Sequence, residues 1–206
     1  MMRRYIIITV LLFTAIPAIL CERRIDDRDR YLGHRTEHYR HYHRPSYFVS
    51  RNGVFFDGKS IKVADPKSFR ILDDGYAMDK WHVYYFGEFM SDAAQSFKVL
   101  GYGYAKDNWS IFYDGDRIKG ASVENFSVLS DRYAKDNWNV YFDGKKIDGA
   151  SPGTFIVLRD GYAKDRWTVY YDGMKVEEAS AGSFNCLKDG YAEDNWNTFY
   201  KGRKLD

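Results

Sequence analysis

The chain has 206 residues, of which 45% are hydrophobic and 29% charged. That is long enough to bury a core and too apolar for a disordered protein. A net charge of +2 and only two cysteines argue against a dedicated nucleic-acid binder and rule out a disulfide scaffold. The unusual feature is aromatic content: 18 Tyr, 14 Phe and 5 Trp.

Residues 1–21 predict a signal peptide. Met1-Met2-Arg3-Arg4 is a short basic start, and Ile6 to Leu20 is an apolar run interrupted by Pro17. A membrane span needs about 20 apolar residues, so the shorter run fits a secretory signal better. Cleavage after Ala18 or Cys21 would export the chain to the periplasm, the cell surface or the medium. An uncleaved anchor and a lipoprotein tethered through Cys21 are the alternatives. Leu20 stands against the second, because lipoprotein signals carry Gly, Ala or Ser there. No other membrane contact is expected.

Residues 22–46 read as a disordered linker. Seven Arg and five acidic residues crowd Glu22 to Ser46, with almost no aliphatic side chains. Such a segment cannot offset its ordering entropy by burial. It carries His34, His38, His41 and His43. Clustered imidazoles can hold transition metals, but no cysteine lies among them and their spacing matches no closed structural site. A soluble His/Arg-rich tether is the reading, with no metal or other cofactor.

From Tyr47 to Asp206 the chain is one repeat. Trp81, Trp109, Trp138, Trp167 and Trp196 recur at a constant interval, except that the first is one position shorter. Tyr76, Tyr104, Tyr133, Tyr162 and Tyr191 keep the same spacing, and Tyr47 extends it upstream. Phe69, Phe97, Phe126, Phe155 and Phe184 mark the other half. The short interval has lost a position between Ala93 and Phe97, where other units carry a longer spacer such as Asp65-Pro66-Lys67-Ser68. Loops absorb such deletions.

The repeat predicts strands. Val140-Tyr141-Phe142 and its copies are β-branched and aromatic. Asp-Gly follows at 57–58, 114–115, 143–144 and 172–173, the composition of a type I′ hairpin turn. A second turn is expected at Lys106-Asp107-Asn108 and its equivalents, and a third in the spacer. That leaves about three short strands per unit: Phe155 through Ala163, Trp167 through Tyr171, and Lys175-Val176. The fold class is therefore all-β, a tandem array of roughly 29-residue hairpin or three-strand units, solenoid-like or a curved sheet, each touching only its neighbours. Propeller-like closure is the alternative, although the unit is short against a typical blade of about 40–45 residues. The last copy stops just past Leu205, which phases the units to start at Phe69, Phe97, Phe126, Phe155 and Phe184. Residues 47–64 are then a partial first unit.

The central strand is aromatic or aliphatic on both faces. Period-2 alternation puts Trp138, Val140 and Phe142 on one face and Tyr141 on the other. One reading makes every ring core, with one face packed within the unit and the other on a neighbour. The second leaves a column exposed to stack a partner, because Tyr and Trp need hydrogen-bond partners when buried. The candidate stacking residues are Tyr84, Phe112, Tyr141 and Tyr170, together with Trp81, Trp109, Trp138, Trp167 and Trp196.

Asp79-Lys80-Trp81-His82-Val83-Tyr84-Tyr85 resembles the signature of the DKNYY repeat family, and the following Gly, the Ala-containing spacer and Phe-x-Val-Leu resemble its longer consensus. The chain departs from it by placing Trp where the family often has Asn or another polar residue. The resemblance spans about residues 47–206. It implies a bacterial, often exported repeat protein with no established activity.

Catalytic constellations are weak. Asp79, Asp107, Asp136, Asp165 and Asp194 recur once per unit, and Asp74, Asp131, Asp160 and Asp189 form a second set. Recurrent Asp beside Gly can bind Ca²⁺, but Lys106, Lys135 and Lys164 adjoin the first set, so turn formation is the reading. His82 stands alone, and Cys186 replaces the Val of other units as a small core residue. An enzyme gathers unlike groups at one place, whereas these are alike and spread along an array. The expectation is a non-enzymatic, envelope-associated or secreted protein that binds a protein or glycan. A purely structural envelope protein is the alternative, and a glycan-active enzyme the remote one.

Overall fold

The computed structural model describes residues 46–130 and 132–206. The leader, Cys21, the histidine cluster, the linker up to Pro45 and Asp131 lie outside the described residues. A three-stranded meander opens the array: β1 Tyr47–Ser50, β2 Gly53–Phe56 and β3 Lys59–Ser60. Five four-stranded meanders follow, the first being β4 Arg70–Ile71, β5 Tyr76–Met78, β6 Val83–Tyr85 and β7 Glu88–Ser91. The others span residues 98–117, 127–146, 156–175 and 185–204. Every strand pairs antiparallel with its neighbour in sequence. The protein is all-β, and a 3-10 turn at Ala94–Ser96 is the one helical piece among the described residues. No closed barrel or propeller forms among them, and the six sheets are separate rather than one curved sheet.

The expectation of three strands per unit needs correction. The segment Phe155 through Ala163 is two strands, Ile156–Val157 and Tyr162–Lys164. Asp160 (φ 55°) and Gly161 (φ 84°) both take positive φ and reverse the chain between them. The sequence reading places Asp74, Asp160 and Asp189 in turns but runs one strand through them. Such a unit therefore has two type I′ turns at one sheet end. The expected pairs hold positive φ, as at Asp143 (49°) and Gly144 (69°). Phe86-Gly87 and Lys201-Gly202 do the same without Asp. A second correction concerns the central strand. It begins at Val140 and Val169, not at the tryptophan, because Asp136 and Asp165 turn the chain just before.

The core lies between sheets. Five apolar clusters each join one sheet to the next. Tyr76 and Val83 of the second sheet meet Phe97, Ala105 and Phe112 of the third. Tyr133 and Val140 meet Phe155, Ala163 and Tyr170 one layer on. Alternation along the central strand sends Val140 forward and Tyr141 back, so both faces serve neighbouring sheets. The repeated Phe sits between two rings, as Phe155 does at 5.4 Å from Tyr133 and 5.6 Å from Tyr170. Such tilted contacts add about 0.5–1.5 kcal/mol each beyond burial.

Buried Tyr needs a hydroxyl partner, and the next unit supplies it. The Tyr133 hydroxyl donates to the Gly161 carbonyl at 3.2 Å and accepts from the Gly173 amide at 2.9 Å. Tyr47, Tyr76, Tyr104 and Tyr162 repeat both bonds one unit along. One hydroxyl thus ties together the two turns of the following sheet. Burial pushes the Tyr47 phenol up to about 12, only partly offset by the Gly87 amide, so the group stays a neutral donor. The outer face of the last sheet is built differently. Tyr191 is 44% exposed there. Thr198 takes the place of the buried Val83, Ile111, Val140 and Val169. Glu193 replaces Lys135 and Lys164, whose ammonium groups donate to carbonyls of the spacer that leads into the next unit.

Candidate functional site: the tryptophan turns

At the sheet end opposite the paired turns, one Asp per unit organises the chain. Asp136 Oδ1 accepts the amides of Trp138 and Asn139, both at 2.7 Å. Its Oδ2 accepts the Ser122 amide of the spacer at 2.9 Å and the Tyr141 hydroxyl at 2.8 Å. Asp79 and Asp165 repeat all four bonds. These carboxylates are buried, yet both oxygens of each are engaged. The recurrent Asp is a backbone clamp, and among the described residues no group of three or more His, Cys, Asp or Glu is placed to hold a metal ion.

The clamp carries a pH signature. Burial raises the Asp79 carboxyl, but the amides of Asp65, Trp81 and His82 and the Tyr84 hydroxyl outweigh it and hold it down at about 2. Asp136, Asp165 and Asp194 are lowered by the same balance. The folded pKa lies below the unfolded value of about 3.9, so the stabilisation is complete above that value and lost as pH falls through the folded one. Thermal midpoints should be flat from neutral pH to about 5 and drop steeply between about pH 4 and 2. A flat profile down to pH 2 would refute the clamp.

The clamp also decides where each aromatic goes. Because Asp turns the chain, the tryptophan leaves the sheet and points into solvent. Trp81 is 54% exposed, and Trp109, Trp138, Trp167 and Trp196 are 75–83% exposed. Tyr84, Phe112, Tyr141 and Tyr170 go the other way: all four are buried. As candidate stacking residues these four are a correction, since each ring packs between the Phe of its own unit and the preceding sheet. The two columns do not share a role. The tryptophan column is a surface feature, repeated once per four-stranded sheet and flanked by polar neighbours. Lys80 lies over the Trp81 ring at 4.7 Å and Arg166 over Trp167 at 5.0 Å. Trp138→Ala and Trp167→Ala should each shift unfolding free energy by no more than about 0.5 kcal/mol, as surface substitutions do. Urea denaturation of the two variants checks this, and a loss of several kcal/mol would mean that the rings are packed.

One interval differs. Between Trp81 and Trp109 a cleft of about 330 Å³ opens, lined by both indoles and by Lys80, Asp92, Gln95 and Asn108. Its floor is the short spacer with the 3-10 turn Ala94–Ser96. The deletion noted in the sequence lies here. Elsewhere the first spacer residue, such as Ser122, donates its amide to the Asp. The shortened spacer has no such donor, and Phe112 replaces the tyrosine whose hydroxyl would supply the second bond. Among the described residues Asp107 keeps only the amides of Trp109 and Ser110. Sequence reasoning saw the deletion but had no signal for this consequence. His82 sits at the same end, its ring nitrogens 3.3 Å from Asp79 and 3.6 Å from Asp92.

The DKNYY family model matches residues 47–103 and 104–206. The chain belongs to the DKNYY family. No curated protein and no solved structure matches it. The family motif is thereby given a physical meaning in this chain. Its Asp is the clamp, its third position projects outward and carries tryptophan, and its tyrosine at Tyr84 closes the clamp from inside. The DKNYY signature encodes a turn held by a buried carboxylate.

Proposed function

We propose that the repeat domain is a non-enzymatic binding module that acts outside the cytoplasm and presents its tryptophan edge to a protein or glycan partner. The observation that carries this reading is the exposure of Trp81, Trp109, Trp138, Trp167 and Trp196 at one equivalent position of successive sheets. Packing has no use for them there, and indole left in water in a repeated row is the material of contact surfaces. The other repeated polar groups are alike and already committed to backbone amides, which supports binding over catalysis. The basic start, apolar run and polar linker ahead of the repeats support export.

Capture from envelope extract tests it. The wild-type chain should retain a partner that a variant with all five tryptophans changed to Ala loses, while both show the same thermal midpoint. Equal capture by the two would sink the reading. A purely structural role is the second reading, favoured by the tyrosine bonds that lock each sheet to the next, and it predicts no effect of removing tryptophan.

A further inference from the structure

We infer that the cleft between Trp81 and Trp109 is a carbohydrate subsite for a neutral, β-1,4-linked chain of glucose-type pyranoses. This deepens the binding role proposed above and rests on it.

The chemistry of the lining carries the inference. Two exposed indoles from consecutive sheets flank the cleft, and amide, carboxylate and ammonium groups stand between them. An equatorially substituted pyranose has the matching character, with apolar C–H faces for the rings and a rim of hydroxyls that both donate and accept. The side-chain amides of Gln95 and Asn108 hold no protein partner among the described residues and offer both functions. The volume of about 330 Å³ suits one or two sugar rings rather than a folded partner.

Geometry favours a chain over a single sugar. Sheets packed face to face lie about 10 Å apart, close to the length of a disaccharide in an extended β-1,4-linked chain, and equivalent positions of successive sheets are expected to recur at about that interval. A ligand lying along the edge would meet an indole at every second ring. A peptide is the less suitable occupant. The tryptophans stand in turns at the sheet end, where no strand offers a row of unpaired amides to pair with.

The deletion sets this interval apart from the others. The other intervals carry a longer spacer between the tryptophan turns. Here the spacer is one residue shorter.

Calorimetric titration of the purified protein with cellohexaose and with chitohexaose is the test. The two arms separate a plain glucan from an N-acetylated chain. Binding of at least one is expected, weakened roughly tenfold or more by Trp81→Ala or Trp109→Ala, less so by Trp196→Ala outside the cleft, and unchanged by Met174→Ala, an exposed residue away from the tryptophan edge. Inserting one Ser between Ala93 and Ala94 should also abolish it with every tryptophan in place. Unchanged thermal midpoints confirm that the variants are folded. Equal loss at Trp81, Trp109 and Trp196 would overturn the cleft while leaving the tryptophan edge as the binding face. Failure of both hexasaccharides to bind, alongside tryptophan-dependent capture of a protein from envelope extract, would overturn the carbohydrate assignment alone. Capture that ignores tryptophan would remove the binding role itself.

Discussion

Asp136→Ala should destabilise the repeat domain by about 3–5 kcal/mol, the range for removing one side of a buried charged network. The carboxylate accepts four hydrogen bonds while 3% exposed. Its removal leaves the Tyr141 hydroxyl and several amides short of an acceptor beneath the turn. Each stranded donor costs about 1–3 kcal/mol, partly relieved where the turn can open to solvent. Asp136→Asn should lie between, because an amide nitrogen cannot accept the Ser122 amide or the Tyr141 hydroxyl. Asp107→Ala provides the internal comparison. It removes two hydrogen bonds instead of four and should cost less than Asp136→Ala, by about 1–3 kcal/mol. Guanidinium denaturation of the three variants measures the order. Equal losses at Asp107 and Asp136 would show that the spacer and tyrosine bonds contribute nothing.

A comparable loss, about 3–5 kcal/mol, is expected for Gly144→Ala, where overpacking adds to backbone strain. Gly144 has φ 69°, a region that L side chains rarely adopt. A Cβ there would come within 2.5 Å of the Tyr113 Cβ and 2.6 Å of its Cγ. Those atoms lie at the root of the side chain and cannot swing away. The preceding sheet would have to shift, and the Gly144 amide would leave the Tyr104 hydroxyl it donates to at 3.0 Å. Gly149→Ala isolates the backbone part of this cost. Its φ is 77°, but nothing lies within 4 Å of the added atom. It should lose only about 1–2 kcal/mol. Chemical denaturation of both variants gives the comparison. Matching losses at the two glycines would mean that contact between sheets is looser than the geometry shows.

Arg132 shows how the same constraint is met without glycine. It holds φ 71° at a position where the other four-stranded units have Gly75, Gly103, Gly161 and Gly190. Its guanidinium lies 2.8 Å from Asp143 and 3.3 Å from Asp172, and 4.4 Å from the centre of the Phe142 ring. The ion pairs bridge the turns of two successive sheets.

Much of the architecture was legible in the sequence because it is local. The regular return of Trp and Tyr, the Asp-Gly pairs and β-branched triplets such as Val140-Tyr141-Phe142 specify short antiparallel strands through turn chemistry alone. Neighbour-only packing follows from the repeat itself. What only the tertiary structure decided is the fate of each aromatic column. Period-2 alternation put Trp138 and Val140 on one face, but that rule holds only within a continuous strand. The Asp136 clamp ends the strand between them by drawing on a spacer amide 14 residues away, so Trp138 emerges and Val140 is buried. The deletion before Phe97 likewise reads in sequence as a tolerated loop change. Its consequence depends on two turns from different sheets meeting across it, and that long-range contact leaves no local signal.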